Sequence, residues 1–282
     1  MHISPINITT PHFKGDNKHI LFDDLKYEKY TKDIFDDTVC YDKKLPLDSC
    51  EIKMNFYPKD ISWQNQTNKL ILQISKLISK GESIDDILNI SEFAIHKMYK
   101  GMNNFAYRTD SHAHCFAFDK NDRGGEYFKR YWDKIRKLFS FKAKANDEFK
   151  QAQRCDITSL YANINAPINK VKVHIYRQDN TNYDLVKQEY DKLRSNKKPN
   201  EKDVNSTCAK IAWLISQGFP YVRGNNSIAT VLIRALQYSN NIEISPLKKG
   251  KSLDFEAFDT DLDTYIKNYP NFFEKTPKRI ES

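Results

Sequence analysis

Apolar residues recur at helical spacing through most of the chain after Trp63 and at strand spacing in only two short places. Leu70, Ile71, Ile74, Leu77 and Ile78 make one stripe, and Gly81 closes it. Ser83, with Asp85 and Asp86, opens a second helix that carries Ile84, Ile87, Leu88, Ile95 and Met98, so the two predict a helical hairpin. His96 within it reads as surface or core rather than as a ligand. Tyr127, Phe128, Tyr131, Trp132, Ile135, Leu138 and Phe139 also fall at helical spacing, which predicts a core stripe. A further helix is expected from Asn146 or Asp147 through Phe149 to about Tyr161, ended by Pro167, with Arg154 and Asp156 at most a structural pair on it. Tyr183 to Arg194 reads as helical, and Ser195 to Asn200 as an exposed linker leading to Asp203, the expected cap of the next helix.

That next helix and its successor form the best-defined pair. Val204, Cys208, Ile211, Ala212 and Ile215 lie on one face, and Gly218 followed by Pro220 is expected to stop the helix, with Gly218 in the C′ role. Ile228, Leu232, Ala235 and Leu236 make the second stripe, which ends at Ser239, and Asn226 or Ser227 is placed to cap its start. Phe255, Phe258, Leu262 and Ile266 predict a final helix, with Tyr269 to Phe273 anchoring its end.

Strand periodicity is clearest in Lys170 to Arg177. It recurs in His112 to Phe118, where His112 and His114 share a face about 7 Å apart along the strand. Such a pair can serve zinc or act as a general base, so His112 and His114 are the catalytic candidates. No third convergent ligand stands near them in sequence, and no metal site is assigned. The fold class expected is mainly α with one or two small β hairpins or strands. An N-terminal arm over residues 1–60, rich in Pro, Asp and Lys and without a sustained period, is expected to be partly ordered. A helical domain follows over 61–274, with a disordered tail over 275–282.

Composition narrows the class. Apolar residues make up 39% of 282, and no run is long enough to span a membrane, which suits a soluble globular protein. The first ten residues lack a charged-then-apolar leader, so no Sec signal is expected. Five scattered cysteines without a C-x-x-C pair suit a reducing environment. The net charge of +8 invites a nucleic-acid reading, but bases and acids interleave nearly everywhere. Only Lys129 to Lys144 and Leu247 to Lys251 approach the dense stripe such binding needs. Polyanion binding is therefore the third reading and nucleic acid an unlikely partner.

Chemistry concentrates in the turn Phe219-Pro220-Tyr221-Val222-Arg223-Gly224-Asn225-Asn226-Ser227. A helix that starts from a glycine-containing loop presents unpaired backbone N–H groups and the positive end of its dipole. It is suited to an anion, and Arg223 adds a guanidinium able to grip phosphate in bidentate fashion. Tyr221, Arg223, Gly224, Asn225, Asn226 and Ser227 are the candidate anion or donor-binding residues. Joints of this kind also occur as plain structural corners.

The order helix, Pro-aromatic-x-x-Gly-Asn, helix resembles the signature turn of the Fic superfamily, His-Pro-Phe-x-(Asp/Glu)-Gly-Asn-(Gly/Lys)-Arg. Pro220, Tyr221, Gly224 and Asn225 match. Phe219 stands at the catalytic His position, Arg223 at the acidic metal-binding position and Ser227 at the phosphate-binding Arg position. The parts that shape the loop are kept and the parts that perform adenylyl transfer are not, a combination similar to that of the divergent AvrB-type bacterial effectors. The resemblance implies a Fic-like helical core and an upstream β flap, placed at the 103–123 segment or at Lys170 to Arg177. It also implies secretion without a Sec signal into host cytoplasm. Function follows as an expectation: a transferase that uses a nucleotide or NDP-sugar donor to modify a host or partner protein. The alternative is an inactive Fic-fold module that binds a protein. No cofactor beyond such a donor is implied.

Overall fold

The computed structural model describes residues 24–36, 38, 45, 61–98, 114–119, 156–162, 170–176, 181–218, 224–248 and 251–280. Over these the protein is mainly α. In chain order the elements are α1 (Asp24–Phe35), α2 (Ile61–Lys80), α3 (Ile84–Met98), β1 (His114–Asp119), β2 (Asp156–Ala162), β3 (Lys170–Tyr176), α4 (Thr181–Ser195), α5 (Glu201–Gly218), α6 (Asn225–Ser239), α7 (Leu253–Asp259) and α8 (Leu262–Asn268). A 3-10 turn, Tyr269–Phe272, follows.

The α2–α3 hairpin forms as its punctuation predicts. Gly81, at φ 83°, ends α2: its N–H donates to the Ile78 carbonyl at 3.0 Å and the Glu82 N–H reaches back to Leu77 at 3.1 Å. Glycine takes this left-handed conformation at little cost, and the two bonds satisfy carbonyls the helix leaves open. Ser83 then caps α3, its Oγ accepting from the Asp86 N–H at 3.1 Å. Within the N-terminal arm, α1 lays Tyr27, Thr31 and Ile34 into the core, and the Asn89 side chain donates to the Tyr27 hydroxyl at 3.2 Å.

At the centre lies α5. Fourteen of its eighteen residues, Val204, Asn205 and Thr207 through Gly218, are buried, because α4, α6, α7, α8 and the 3-10 turn all pack on it. A helix enclosed this far must satisfy its polar side chains internally. Lys210 pairs with Glu189 of α4 at 3.4 Å, Trp213 Nε1 donates to the Thr260 carbonyl at 3.1 Å and Gln217 Nε2 to the Ala257 carbonyl at 2.7 Å. Burial pushes the Cys208 thiol up to about 12, so it stays protonated and unreactive.

Several local expectations are corrected. The residues expected to continue a helix to Tyr161 instead form β2, which pairs antiparallel with β3. Ile157, Thr158 and Tyr161 are strand formers, and a partner strand outweighs the helical period. Asp203 is not the cap of α5. That role falls to Asn200, whose Oδ1 accepts from the Asp203 N–H at 2.9 Å while Asp203 Oδ2 accepts from the Asn200 N–H at 3.3 Å, a reciprocal capping box.

Gly218 is the last helical residue of α5 and is not among the described glycines of positive φ. Its lack of a side chain serves close packing, since a Cβ there would come within 3.0 Å of Asn182 Cβ. The final helix is two, α7 and α8, broken where Asp261 starts a new cap by accepting from the Thr264 N–H. Residues 275–280 have no apolar period and were expected to be disordered, yet their backbone is paired. Glu243 N–H donates to the Lys278 carbonyl at 2.7 Å and Ile280 N–H to Asn241 at 2.8 Å. The core stripe expected at 127–139 lies outside the described residues.

The sheet has strand order β1-β3-β2, both pairs antiparallel. Among the described residues no helix is long and apolar enough to cross a membrane.

Two substitutions test this core by urea denaturation. Asn200→Ala removes the capping box and is expected to cost about 1 kcal/mol. Trp213→Ala both empties a fully buried site and orphans the Thr260 carbonyl, with an expected loss of about 3–5 kcal/mol. Equal losses in the two would show that α5 is less enclosed than its packing indicates.

Candidate functional site

The corner between α5 and α6 is held from three sides. Gly218 rests on Asn182 in the first turn of α4, Gln217 and Trp213 fix the end of α5 to α7, and Cys208 Sγ meets the Ile233 carbonyl across the α5–α6 pair at 3.7 Å. Phe219 to Arg223 lie outside the described residues, so the candidates Tyr221 and Arg223 are not placed.

The corner resumes at Gly224, which precedes α6 with φ 78° and ψ 6° and provides no side-chain cap. Its carbonyl accepts the first intrahelical bond, from the Ile228 N–H at 2.8 Å. Asn226 and Ser227 are therefore not the cap. A left-handed glycine turns the chain directly into the helix, and both residues fall inside the first turn. Asn225 is buried, while Gly224, Asn226 and Ser227 are half-buried, and the Asn226 Oδ1 is enclosed without a hydrogen-bond partner. Gly224 has no side chain to bond the amides of the first α6 turn, and the positive end of the helix dipole lies there.

The histidine candidates are not brought to this corner by anything described. His112 lies outside the described residues. His114 begins β1, in register with Ile175 of β3. The same register pairs His174 with Cys115 on one side and Ser159 on the other, a row that sequence periodicity did not reveal because β2 read as helix. Among the described residues no group of histidine, cysteine and acidic side chains is arranged to hold a metal ion.

One residue of chemical consequence was missed. Glu92, on α3, is 1% exposed, and neither carboxylate oxygen has a hydrogen-bond partner. Burial raises its carboxyl from the ordinary value to about 8, with no charged neighbour among the described residues contributing. In sequence it stands in Ile90-Ser91-Glu92-Phe93, beside the apolar stripe, where an acid ordinarily marks a solvated edge. Only the packing of α3 against its neighbours encloses it.

The sign of its effect on stability follows directly. Between the unfolded value near 4.5 and the folded value near 8 the folded state holds the proton and the unfolded state has lost it. Stability is therefore whole below about 4.5 and falls by roughly 1.4 kcal/mol per pH unit across that window. Glu92→Gln is expected to abolish this slope. Urea denaturation at pH 5 and pH 8 should show the variant gaining on the native chain at the higher pH only; parallel curves would mean Glu92 is solvated or paired.

A family model for avirulence proteins, AvrB/AvrC, matches residues 184–276, which run from α4 through α5, the corner and α6 to the aromatic anchor after α8. No curated protein matches the chain. Over this third of its length, and so over the corner itself, the chain is similar to the AvrB/AvrC avirulence proteins.

Proposed function

We propose that this protein is an effector of the AvrB type that acts on a host or partner protein, transferring a group from a nucleotide-activated donor, either a nucleotide or an NDP-sugar. The observation that carries the reading is the uncapped start of α6 at Gly224, inside the stretch similar to avirulence proteins. The first amides of α6 would receive the donor phosphates, with Arg223 from the preceding turn as a bidentate partner. Gly224 suits that task because its backbone conformation costs a side-chain-bearing residue about 1–2 kcal/mol and because no Cβ stands before the amides.

A second reading has its own support. Phe219, Arg223 and Ser227 occupy the positions where the Fic signature places its catalytic, metal-binding and phosphate-binding residues. A chain without those groups can keep the scaffold as a protein-binding module that turns nothing over. The two readings differ in whether a phosphate-bearing donor binds at all.

Thermal shift with ADP, UDP-glucose and GDP-mannose separates them. Donor binding predicts stabilisation of about 2.7 kcal/mol at a hundredfold excess over the dissociation constant. Arg223→Ala and Asn226→Asp are both expected to remove that shift. Silence of all three compounds on the native chain, with a protein partner retained on purification, favours the binding module.

A further inference from the structure

The end of the helical bundle opposite the corner gathers basic residues that lie far apart in sequence. Arg194, in the last turn of α4, donates to the Gly81 carbonyl at 2.9 Å, which brings that turn to the end of α2. Arg279 ties the C-terminal run to the α4–α5 linker. Its guanidinium donates to the Pro199 carbonyl, and its N–H donates at 2.9 Å to Glu201 at the start of α5. The Ile280 N–H reaches the Asn241 carbonyl, just beyond α6, at 2.8 Å. Residues 77–83, 192–203, 239–243 and 275–280 therefore form one continuous surface.

These segments carry nine basic residues and four acidic ones, and all nine bases are exposed. Three of the acids are engaged: Asp203 Oδ2 accepts from the Asn200 N–H, Glu201 accepts from Arg279, and Glu243 pairs with Lys275 at 3.8 Å. The fourth, Glu82, is half-buried. Lys80, Lys197, Lys198, Lys202 and Lys278, by contrast, have no ion-pair partner among the described residues. The linker that carries Lys197 and Lys198 is held in shape, since Asn196 Oδ1 accepts from the Lys198 N–H at 3.1 Å and the capping box fixes Asn200.

Two features select among anionic partners. A single strand of nucleic acid needs aromatic rings on which to stack its bases, and among the described residues the large apolar side chain left exposed is Ile280, at 50%. A duplex needs an element that enters a groove, and here the helices meet the surface by their ends. The result is a blunt basic face with an aliphatic side chain at its margin. That combination fits an anionic lipid leaflet, whose headgroups attract the ammonium groups while the aliphatic side chain enters the acyl boundary.

We propose that this end of the bundle docks on an anionic lipid bilayer, with Lys197, Lys198 and Lys202 among its charge contacts and Ile280 as its apolar contact. The proposal is independent of the donor reading. α5 runs about 27 Å from this end to the corner, so docking here holds the corner about that far from the lipid.

Vesicle flotation of the full chain tests it, with phosphatidylcholine vesicles made with and without phosphatidylserine, at low and high salt. Binding is expected only to the serine-containing vesicles and should fall as salt rises. The triple variant Lys197→Ala, Lys198→Ala, Lys202→Ala is expected to bind about a hundredfold more weakly, at about fivefold per charge near the surface. Replacing the same three lysines by arginine should preserve binding, and Ile280→Ser should weaken it severalfold. A control triple, Lys32→Ala, Lys248→Ala, Lys267→Ala, removes the same net charge from exposed positions outside this face and is expected to bind as the native chain does. Urea denaturation should not distinguish any of these variants from the native chain. Equal binding to both vesicle types overturns the proposal, as does failure to bind either. Equal losses in the two alanine triples overturn it too, since only net charge is then being read. Tighter binding to a DNA duplex or to polyglutamate than to the vesicles assigns the face to another partner and overturns it as well.

Discussion

Enclosing α5 on nearly all sides is the constraint from which the rest of the fold follows. A helix in solvent can leave its polar residues to water; one wrapped by five other elements cannot. Each polar side chain along it therefore names a neighbour it must meet: Lys210 requires Glu189 on α4, Trp213 and Gln217 require carbonyls of the α7 region, and Asn205 requires the Pro277 carbonyl at 2.9 Å. These bonds fix which way round the elements lie, which apolar burial alone leaves loose. They also explain why residues 275–280 are held, since that run supplies an acceptor to Asn205 and its Arg279 N–H donates to Glu201 in the first turn of α5.

The corner is a consequence of that enclosure. With the end of α5 locked by Gly218 against Asn182 and by Gln217 against Ala257, the chain has few directions in which to leave, and it returns as α6 through a left-handed Gly224. Gly224 offers the amides of the first α6 turn no side chain, and the packing of α6 on α5, α2 and α3 sets their direction.

Much of this was legible in the sequence where a single local rule governs. The stripes of α2, α3, α5 and α6 are one-face patterns at the helical period, and Val204, Cys208, Ile211, Ala212, Ile215, Ile228, Leu232, Ala235 and Leu236 are all buried. Gly81 and Ser83 punctuate the hairpin as their chemistry requires. The errors came where two rules competed. Asn200 and Asp203 are both good cap residues, and only the reciprocal bonds show which one lies at the boundary. Gly218 fits a C′ glycine in sequence, but its reason for being glycine is a neighbour on another helix. β2 read as helix because a strand's partner is invisible to a local period. For the candidate site the sequence indicated the position of the corner, and its uncapped start is a property of the Gly224 backbone that composition does not show.

Glu92 was invisible for a deeper reason. An acid beside an apolar stripe is usually solvated, and only tertiary packing makes it an exception. Burial holds the proton on its carboxyl in the folded chain up to about pH 8, so stability falls between about 4.5 and 8, where the unfolded chain has already given its proton up. A fold in which Lys210, Trp213 and Gln217 of α5 all find partners can carry an unsatisfied acid on α3 without coming apart.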